Sequence, residues 1–280
     1  MVTYDRDQIA SAIIERLDGK AVEELRNKFN SLQAIGWFSI DSLLPEAMAR
    51  AIYSSFPHPS ELRERKSLRE RKYVTSQMDQ YDPQAEEAVF AFHSPEVLNK
   101  IFAITNIDGL SADQELYAGG ISLMSKGGFL NPHLDNSHDN RRKLYRALNL
   151  LYYCSPDWDP RNGGNLELWP EGVKGSPIVV ESLFNRLVVM TTGGESWHSV
   201  SPITTINPRC CVSNYYFSPT PLGGASYSRV TSFRGRPDQP VRDLALRIDA
   251  RLRQAIRKVR PSGLVATTHF YQRQRVKLPE

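Results

Sequence analysis

Asn131-Pro132-His133-Leu134-Asp135-Asn136 is the stretch from which this 280-residue chain is best read. His133 and Asp135 stand two apart. On an extended strand, alternate side chains leave the same face, so an imidazole and a carboxylate are offered together to one cation. Such a pair often arises by chance, and the bland alternative is a loop histidine beside a turn aspartate. The surroundings add weight. Leu116–Leu123, Ala147–Tyr153, Asn165–Trp169, Pro177–Val180, Arg186–Thr191, His198–Ser201 and Cys210–Phe217 are short and rich in β-branched or aromatic residues, with Gly, Pro, Asn and Asp between them. This spacing predicts a sandwich or barrel of about eight strands.

A second histidine, His198, lies in Gly193-Gly194-Glu195-Ser196-Trp197-His198-Ser199-Val200, after the apolar strand Leu187–Thr191. A barrel can bring it back to the first pair. Two histidines and one carboxylate form the facial set of non-haem iron(II) oxygenases, which leaves coordination positions open for dioxygen and a two-toothed co-substrate. Arg209 begins the next strand. A buried arginine needs an anion, and a dicarboxylate offers a two-pronged one. The alternative is a strand-end arginine reaching water.

At these residues the chain resembles the iron(II)/2-oxoglutarate-dependent dioxygenases, most closely their prolyl-hydroxylase-like branch. The likeness runs over Leu116–Phe217. It includes Leu151-Tyr152-Tyr153, Asp157-Trp158, Gly163-Gly164-Asn165-Leu166, Trp169-Pro170-Glu171-Gly172 and Arg209 through Tyr215-Tyr216-Phe217, in family order. The resemblance implies a mainly β fold with flanking helices around a double-stranded β-helix (a cupin-like jelly roll). It implies Fe(II) on the catalytic ligands His133, Asp135 and His198. It implies 2-oxoglutarate on Arg209 with help from Tyr153 and Ser213, pocket walls at Leu166 and Val200, Asn149 as a further polar contact, O2 as the second co-substrate and ascorbate as an accessory reductant. Leu123 or Met124 stands where the family usually has a tyrosine. Chlorinating members lack the carboxylate ligand, so Asp135 favours oxygenation.

The implied activity is hydroxylation of a C–H bond in a small-molecule or cell-envelope carbohydrate or lipid-linked substrate, with release of succinate and CO2. The runner-up is an amino-acid or peptidyl (prolyl-type) hydroxylase. From another class come a non-catalytic metal-binding module and a zinc hydrolase using the same ligands. A hydrolase has no need of an arginine facing the open side of the metal. His138, Arg141, Arg142 and Trp197 are candidate substrate contacts. The basic run Arg141–Arg146 suits an anionic substrate, and a solvated loop is its alternative.

The rest of the sequence sets bounds. Apolar residues at 40% and charged residues at 24% support a proper core. We read residues 1–110 as helical support with the first oxygenase strand, 111–225 as the catalytic core and 226–280 as a basic helix and tail. Within the first part, helices are expected over Asp7–Gln33 (broken at Gly19), Pro45–Phe56, Pro83–Phe92 and Pro95–Thr105, with a charged, exposed segment over 57–72. Residues 226–280 hold 13 Lys+Arg against 4 Asp+Glu, and residues 1–225 hold 22 against 27, so the net +4 joins an acidic body to a basic tail expected to lie outside the barrel. The helix expected over Val241–Lys258 has three readings: an apolar stripe packed on the domain, a peripheral contact with an anionic membrane, or a nucleic-acid surface. No reader fold accompanies the last, so no nucleic acid is expected. Met1–Ala10 has no apolar run, no segment approaches the roughly 18 residues of a membrane span, and the three cysteines suggest no disulfide framework. A cytoplasmic setting is therefore expected.

Overall fold

The computed structural model of the protein describes residues 2–18, 22–31, 34–259 and 270–273. Gly19, Leu32, Gln33 and most of the tail beyond α6 lie outside these.

The chain runs α1 (Arg6–Asp18), α2 (Val22–Phe29), β1 (Trp37–Ile40), α3 (Glu46–Ser54), β2 (Arg63–Lys66), β3 (Glu70–Thr75), α4 (Pro83–Ala91) and α5 (Pro95–Thr105). It continues with β4 (Ser111–Ala112), β5 (Gly120–Met124), β6 (Phe129–Leu134), β7 (Tyr145–Tyr153), β8 (Leu166–Leu168), β9 (Ile178–Val180), β10 (Arg186–Thr191), β11 (His198–Val200), β12 (Arg209–Ser218), β13 (Ser232–Phe233) and α6 (Pro240–Val259). Local chemistry sets the helix starts. Asp82 and Ser94 accept backbone N–H groups at the beginnings of α4 and α5, each followed by proline in the first turn.

Among the described residues the strands form one 13-stranded sheet with the path β1-β10-β7-β12-β5-β3-β6-β11-β8-β9. All pairings are antiparallel. The curled arrangement is that of a double-stranded β-helix with flanking helices.

The period-2 alternation of β7 and β12 separates core from site. Leu148, Leu150 and Tyr152, with Val212 and Tyr216, pack into one buried cluster with Ile9, Ile13, Ile52, Val89 and Ile101 of the helices. Asn149, Leu151 and Tyr153, with Arg209, Cys211, Ser213 and Tyr215, face a cavity on the other side. Each large side chain fully buried in the helical cluster contributes about 1.5–3 kcal/mol. A one-residue slip of β12 would send the arginine into that apolar layer, so the register is strongly specified.

Three expectations are corrected. The segment 57–72 is not simply exposed: β2 and β3 form a hairpin, and β3 joins β5 to β6. Its charges are accommodated because Lys72 and Glu70 pair with each other at 2.9 Å, their side chains 19% and 16% exposed. Nor does the described part of the basic tail lie apart from the barrel. β13 pairs with β6, Phe233 opposite His133, and α6 contributes Arg253, Ile256 and Arg257 to the cavity wall. Finally, α6 does not pack an apolar stripe on the domain. Leu246 is buried, but Leu244, Ile248 and Leu252 are 58–62% exposed. The domain-facing contacts are polar instead: Asp243 with Arg234, Asp249 with Arg69, and Gln254 with the backbone of Ser228 and Val230.

Candidate active site

His133 is the penultimate residue of β6 and His198 opens β11, and the two are direct partners in the antiparallel register. Their rings lie 4.1 Å apart, centre to centre. Asp135, just beyond β6, places Oδ1 3.7 Å from His133 Nε2 and Oδ2 3.8 Å from His198 Nε2. One ligand atom from each of the three residues lies within 4.8 Å of the others, and all three residues are buried. This is a convergence that could hold a metal ion.

The surroundings fix each ligand in a binding-ready state. Nδ1 of His133 donates to Asn131 O at 3.0 Å, and Nδ1 of His198 donates to Ser196 O at 2.9 Å. Carbonyl oxygens only accept, so both rings carry their proton on Nδ1 and turn Nε2 toward the centre. Burial, reinforced by His198, lowers the His133 pKa to about 3, keeping it neutral. Burial alone would raise the carboxyl of Asp135, but the Arg146 guanidinium and the two histidines outweigh it and hold it at about 2. Arg146 is fully buried, 3.5 Å from Asp135 Oδ1 and stacked 4.0 Å from the Tyr215 ring centre.

Two further groups brace the centre. Phe233 stacks on the His133 imidazole, with ring centres 5.0 Å apart and planes 17° from parallel. Arg229 donates to Asp135 O at 3.1 Å and to Gly193 O at 3.0 Å, tying the two ligand-bearing segments together.

Arg209 is buried at the start of β12, its guanidinium 5.2 Å from the Tyr153 ring centre and its Nη2 3.5 Å from Met124 Sδ. No carboxylate among the described residues pairs with it. Met124, rather than Leu123, is thus the residue beside Arg209. Gly164 makes room: a Cβ there would lie 2.8 Å from Arg209 Cδ, and its φ of +73° is one that side chains avoid. Asp135 Oδ2, Asn149 Oδ1 and Arg209 Nε are buried without hydrogen-bond partners. Buried polar atoms are rarely left so unless a ligand completes them. The donor set therefore fits iron at the triad and a dicarboxylate reaching to Arg209.

One cavity of about 920 Å³ contains all of these groups. Ser213, Leu166, Val200, His138 and Arg142 line it. Arg141 and Trp197 do not. Arg141 turns outward, its Nε 3.0 Å from Glu115 Oε1. Trp197 is half-buried just before β11, and its carbonyl accepts from Trp169 N at 2.9 Å. Reading alternation along β12 would have found Tyr215. Phe233, Arg229 and the hairpin residues carry no local signal.

A buried His–Asp–His cluster on a curled antiparallel sheet that could hold a metal ion thus shares one cavity with Arg209. Residues 119–217 match the family described as the 2OG-Fe(II) oxygenase superfamily. The fold is shared with a Pseudomonas putida prolyl-4-hydroxylase (20% identity, TM-score 0.51, covering 69% of this chain and 98% of that one). It is also shared with a Phytophthora capsici prolyl 4-hydroxylase (18%, TM-score 0.52, 78% and 67%) and a Burkholderia pseudomallei oxidoreductase of the 2OG-Fe(II) oxygenase family (14%, TM-score 0.51, 74% and 94%). The matched segment, which carries His133, Asp135, His198 and Arg209, is thus a 2OG-Fe(II) oxygenase domain, of a family that uses Fe(II), 2-oxoglutarate and O2. No described helix is long and apolar enough to cross a membrane.

Proposed function

We propose that His133, Asp135 and His198 hold the iron, that Arg209 binds the distal carboxylate of 2-oxoglutarate, and that the enzyme hydroxylates a C–H bond of a small molecule or a cell-envelope carbohydrate or lipid-linked intermediate. The observation that carries this reading is the buried triad sharing a cavity with an arginine that has no acidic partner among the described residues. Iron with 2-oxoglutarate supplies the oxidising power, and succinate and CO2 are the by-products.

The chain's own groups supply position. The two Nδ1–H bonds aim the imidazoles, Arg146 keeps Asp135 ionised, and Arg229 fixes the spacing between the ligand segments. Tyr153 stays a neutral phenol, because burial pushes its pKa up. It stands beside Arg209 as a second donor for the carboxylate, with Asn149 and Ser213 along the same wall. Leu166 and Val200 exclude water from the co-substrate. A hydrolase reading gives Arg209 no role.

The test is succinate release from 2-oxoglutarate, dependent on iron and O2, across a panel of envelope sugars, lipid-linked sugars and prolyl peptides. Stimulation by a sugar class supports the proposal. Stimulation by prolyl peptides alone would move the enzyme to the peptidyl branch.

A companion reading concerns location: a cytoplasmic enzyme that touches an anionic membrane through α6. Val241, Leu244, Ile248 and Leu252 form an exposed stripe on the helix's outer side, with Arg247 and Arg251 exposed on the same side. Apolar side chains flanked by arginines suit an anionic lipid surface. Sedimentation with phosphatidylglycerol vesicles should fall sharply in Ile248→Glu/Leu252→Glu. Unchanged sedimentation removes the membrane contact.

A further inference from the structure

β11 presents His198 on a strand of only three residues, and its register against β6 shifts between His198 and Val200. An irregularity of this kind forfeits ladder hydrogen bonds just past the ligand. On its other side β11 pairs with β8 in register, Ser199 opposite Glu167. His198 and Leu166 face the cavity, so by alternation Ser199 and Glu167 face the opposite way. There they form a closed polar network. Ser199 Oγ donates to Glu167 Oε2 at 2.6 Å, and Trp169 Nε1 donates to Ser199 Oγ at 2.8 Å. All three residues are buried.

A cation from the C-terminal part of the chain completes this network. Arg236 Nη2 lies 2.7 Å from Glu167 Oε2 and donates to Val200 O at 3.0 Å, the two charged side chains being 12% and 10% exposed. The same strap, residues 232–236, also holds the His133 strand. Arg234 N donates to Pro132 O at 2.8 Å, and Phe233 is the ring stacked on His133. The strap is seated on α6 in turn. Asp243 Oδ1 accepts from Arg234 Nε at 2.6 Å and from Gly235 N at 3.0 Å, and a Cβ at Gly235 would lie 2.6 Å from Asp243 N. One short segment thus joins both histidine-bearing strands to a common support.

We propose that Arg236 is a positioning residue for the metal centre: through Glu167, Ser199 and the carbonyl of Val200 it fixes the segment that presents His198, while Phe233 on the same strap fixes the plane of His133. The inference rests on the reading that His133, Asp135 and His198 hold the metal. Arg236 makes its polar contacts to Glu167 and Val200 rather than to the ligands, so it acts through the strand behind His198. Removing it leaves a buried carboxylate without its cation. Glu167 then turns toward water and away from Ser199, and the three-residue strand loses its backing. Groups that orient a ligand in this way contribute about 10–100-fold to metal affinity.

The test measures metal binding without turnover. The full chain, free of 2-oxoglutarate, is titrated calorimetrically with Mn(II), and the visible spectrum of the Co(II)-loaded protein reports ligand geometry. Arg236→Met is expected to bind Mn(II) about tenfold more weakly and to shift the Co(II) bands, and Glu167→Gln to do the same more mildly. Arg236→Lys, which keeps a positive charge beside Glu167, should recover part of the affinity. Arg186→Met breaks the Arg186–Asp41 pair on β10, away from both ligand strands, and should change neither readout whatever it does to stability. Thermal unfolding of the metal-free proteins reports folding, and Glu167→Gln carries the comparison if Arg236→Met does not fold. A folded Arg236→Met or Glu167→Gln with the wild-type Mn(II) affinity and Co(II) spectrum overturns the proposal. A wild type that binds no Mn(II) overturns the ligand reading and the proposal with it, so the two failures are told apart.

Discussion

Asp135→Ala is expected to abolish iron-dependent turnover and to weaken metal binding by more than 100-fold. Losing a partner that merely orients a ligand costs about 10–100-fold, and Asp135 is itself the anionic member of the proposed ligand set, between the two histidines. The substitution has a second consequence. Arg146 is fully buried, and its Nε and Nη2 have no hydrogen-bond partner. Removing the carboxylate beside it leaves a buried cation less compensated, so the metal-free protein should also lose stability, by up to about 3–5 kcal/mol. Asp135→Ala/Arg146→Met should recover much of that stability and none of the activity. Isothermal titration with Mn(II) and thermal unfolding of the metal-free proteins separate the two effects. Full stability in Asp135→Ala would mean that Arg146 is not held by the ligand.

Arg209→Met is expected to have the opposite sign on stability. Arg209 is buried beside a methionine sulfur and a neutral tyrosine, with no carboxylate partner among the described residues, so the protein without co-substrate carries a costly charge there. An apolar side chain of similar length should leave the metal-free protein as stable as the wild type or more so. The cost appears with 2-oxoglutarate. Truncating one partner of a buried, hydrogen-bonded charge pair typically costs about 2–5 kcal/mol, so the KM for 2-oxoglutarate should rise at least about 30-fold. Metal binding should stay close to wild type, because Arg209 touches none of the three ligands. A rise in KM without loss of metal affinity identifies Arg209 as the co-substrate anchor. Equal loss of both would make it a structural residue of the barrel.

Much of this site was legible in the sequence because it depends on local patterns. The two-residue spacing of His133 and Asp135, the apolar strand before His198 and the position of Arg209 after a reversing loop are all short-range features, and the antiparallel register brings them together. Alternation on β7 and β12 is local too, which is why Asn149, Tyr153 and Ser213 fall on the cavity side. What was not legible depends on contacts far apart in the chain. Nothing near Arg63–Thr75 announces that a charged hairpin will bridge β5 and β6, because its ion pairs and its strand partners are chosen by the fold. The same holds for Phe233 and Arg229, which reach the centre only because the chain returns to pair with β6 after β12. The C-terminal helix misled because its apolar residues suggested a core-facing stripe, whereas its real attachments are Asp243, Asp249 and Gln254. The described part of the basic tail, β13 and α6, therefore joins the acidic body beside its cavity rather than as a separate appendage.

The central claim is that one centre made of His133, Asp135 and His198 binds iron and 2-oxoglutarate together. Anaerobic addition of Fe(II) and 2-oxoglutarate to the purified protein, followed by visible absorption, tests it most directly. The account predicts a weak charge-transfer band in the wild type, its loss in Asp135→Ala and its weakening in Arg209→Met at fixed 2-oxoglutarate. A wild type with no band, or a band that survives unchanged in Asp135→Ala, would contradict it.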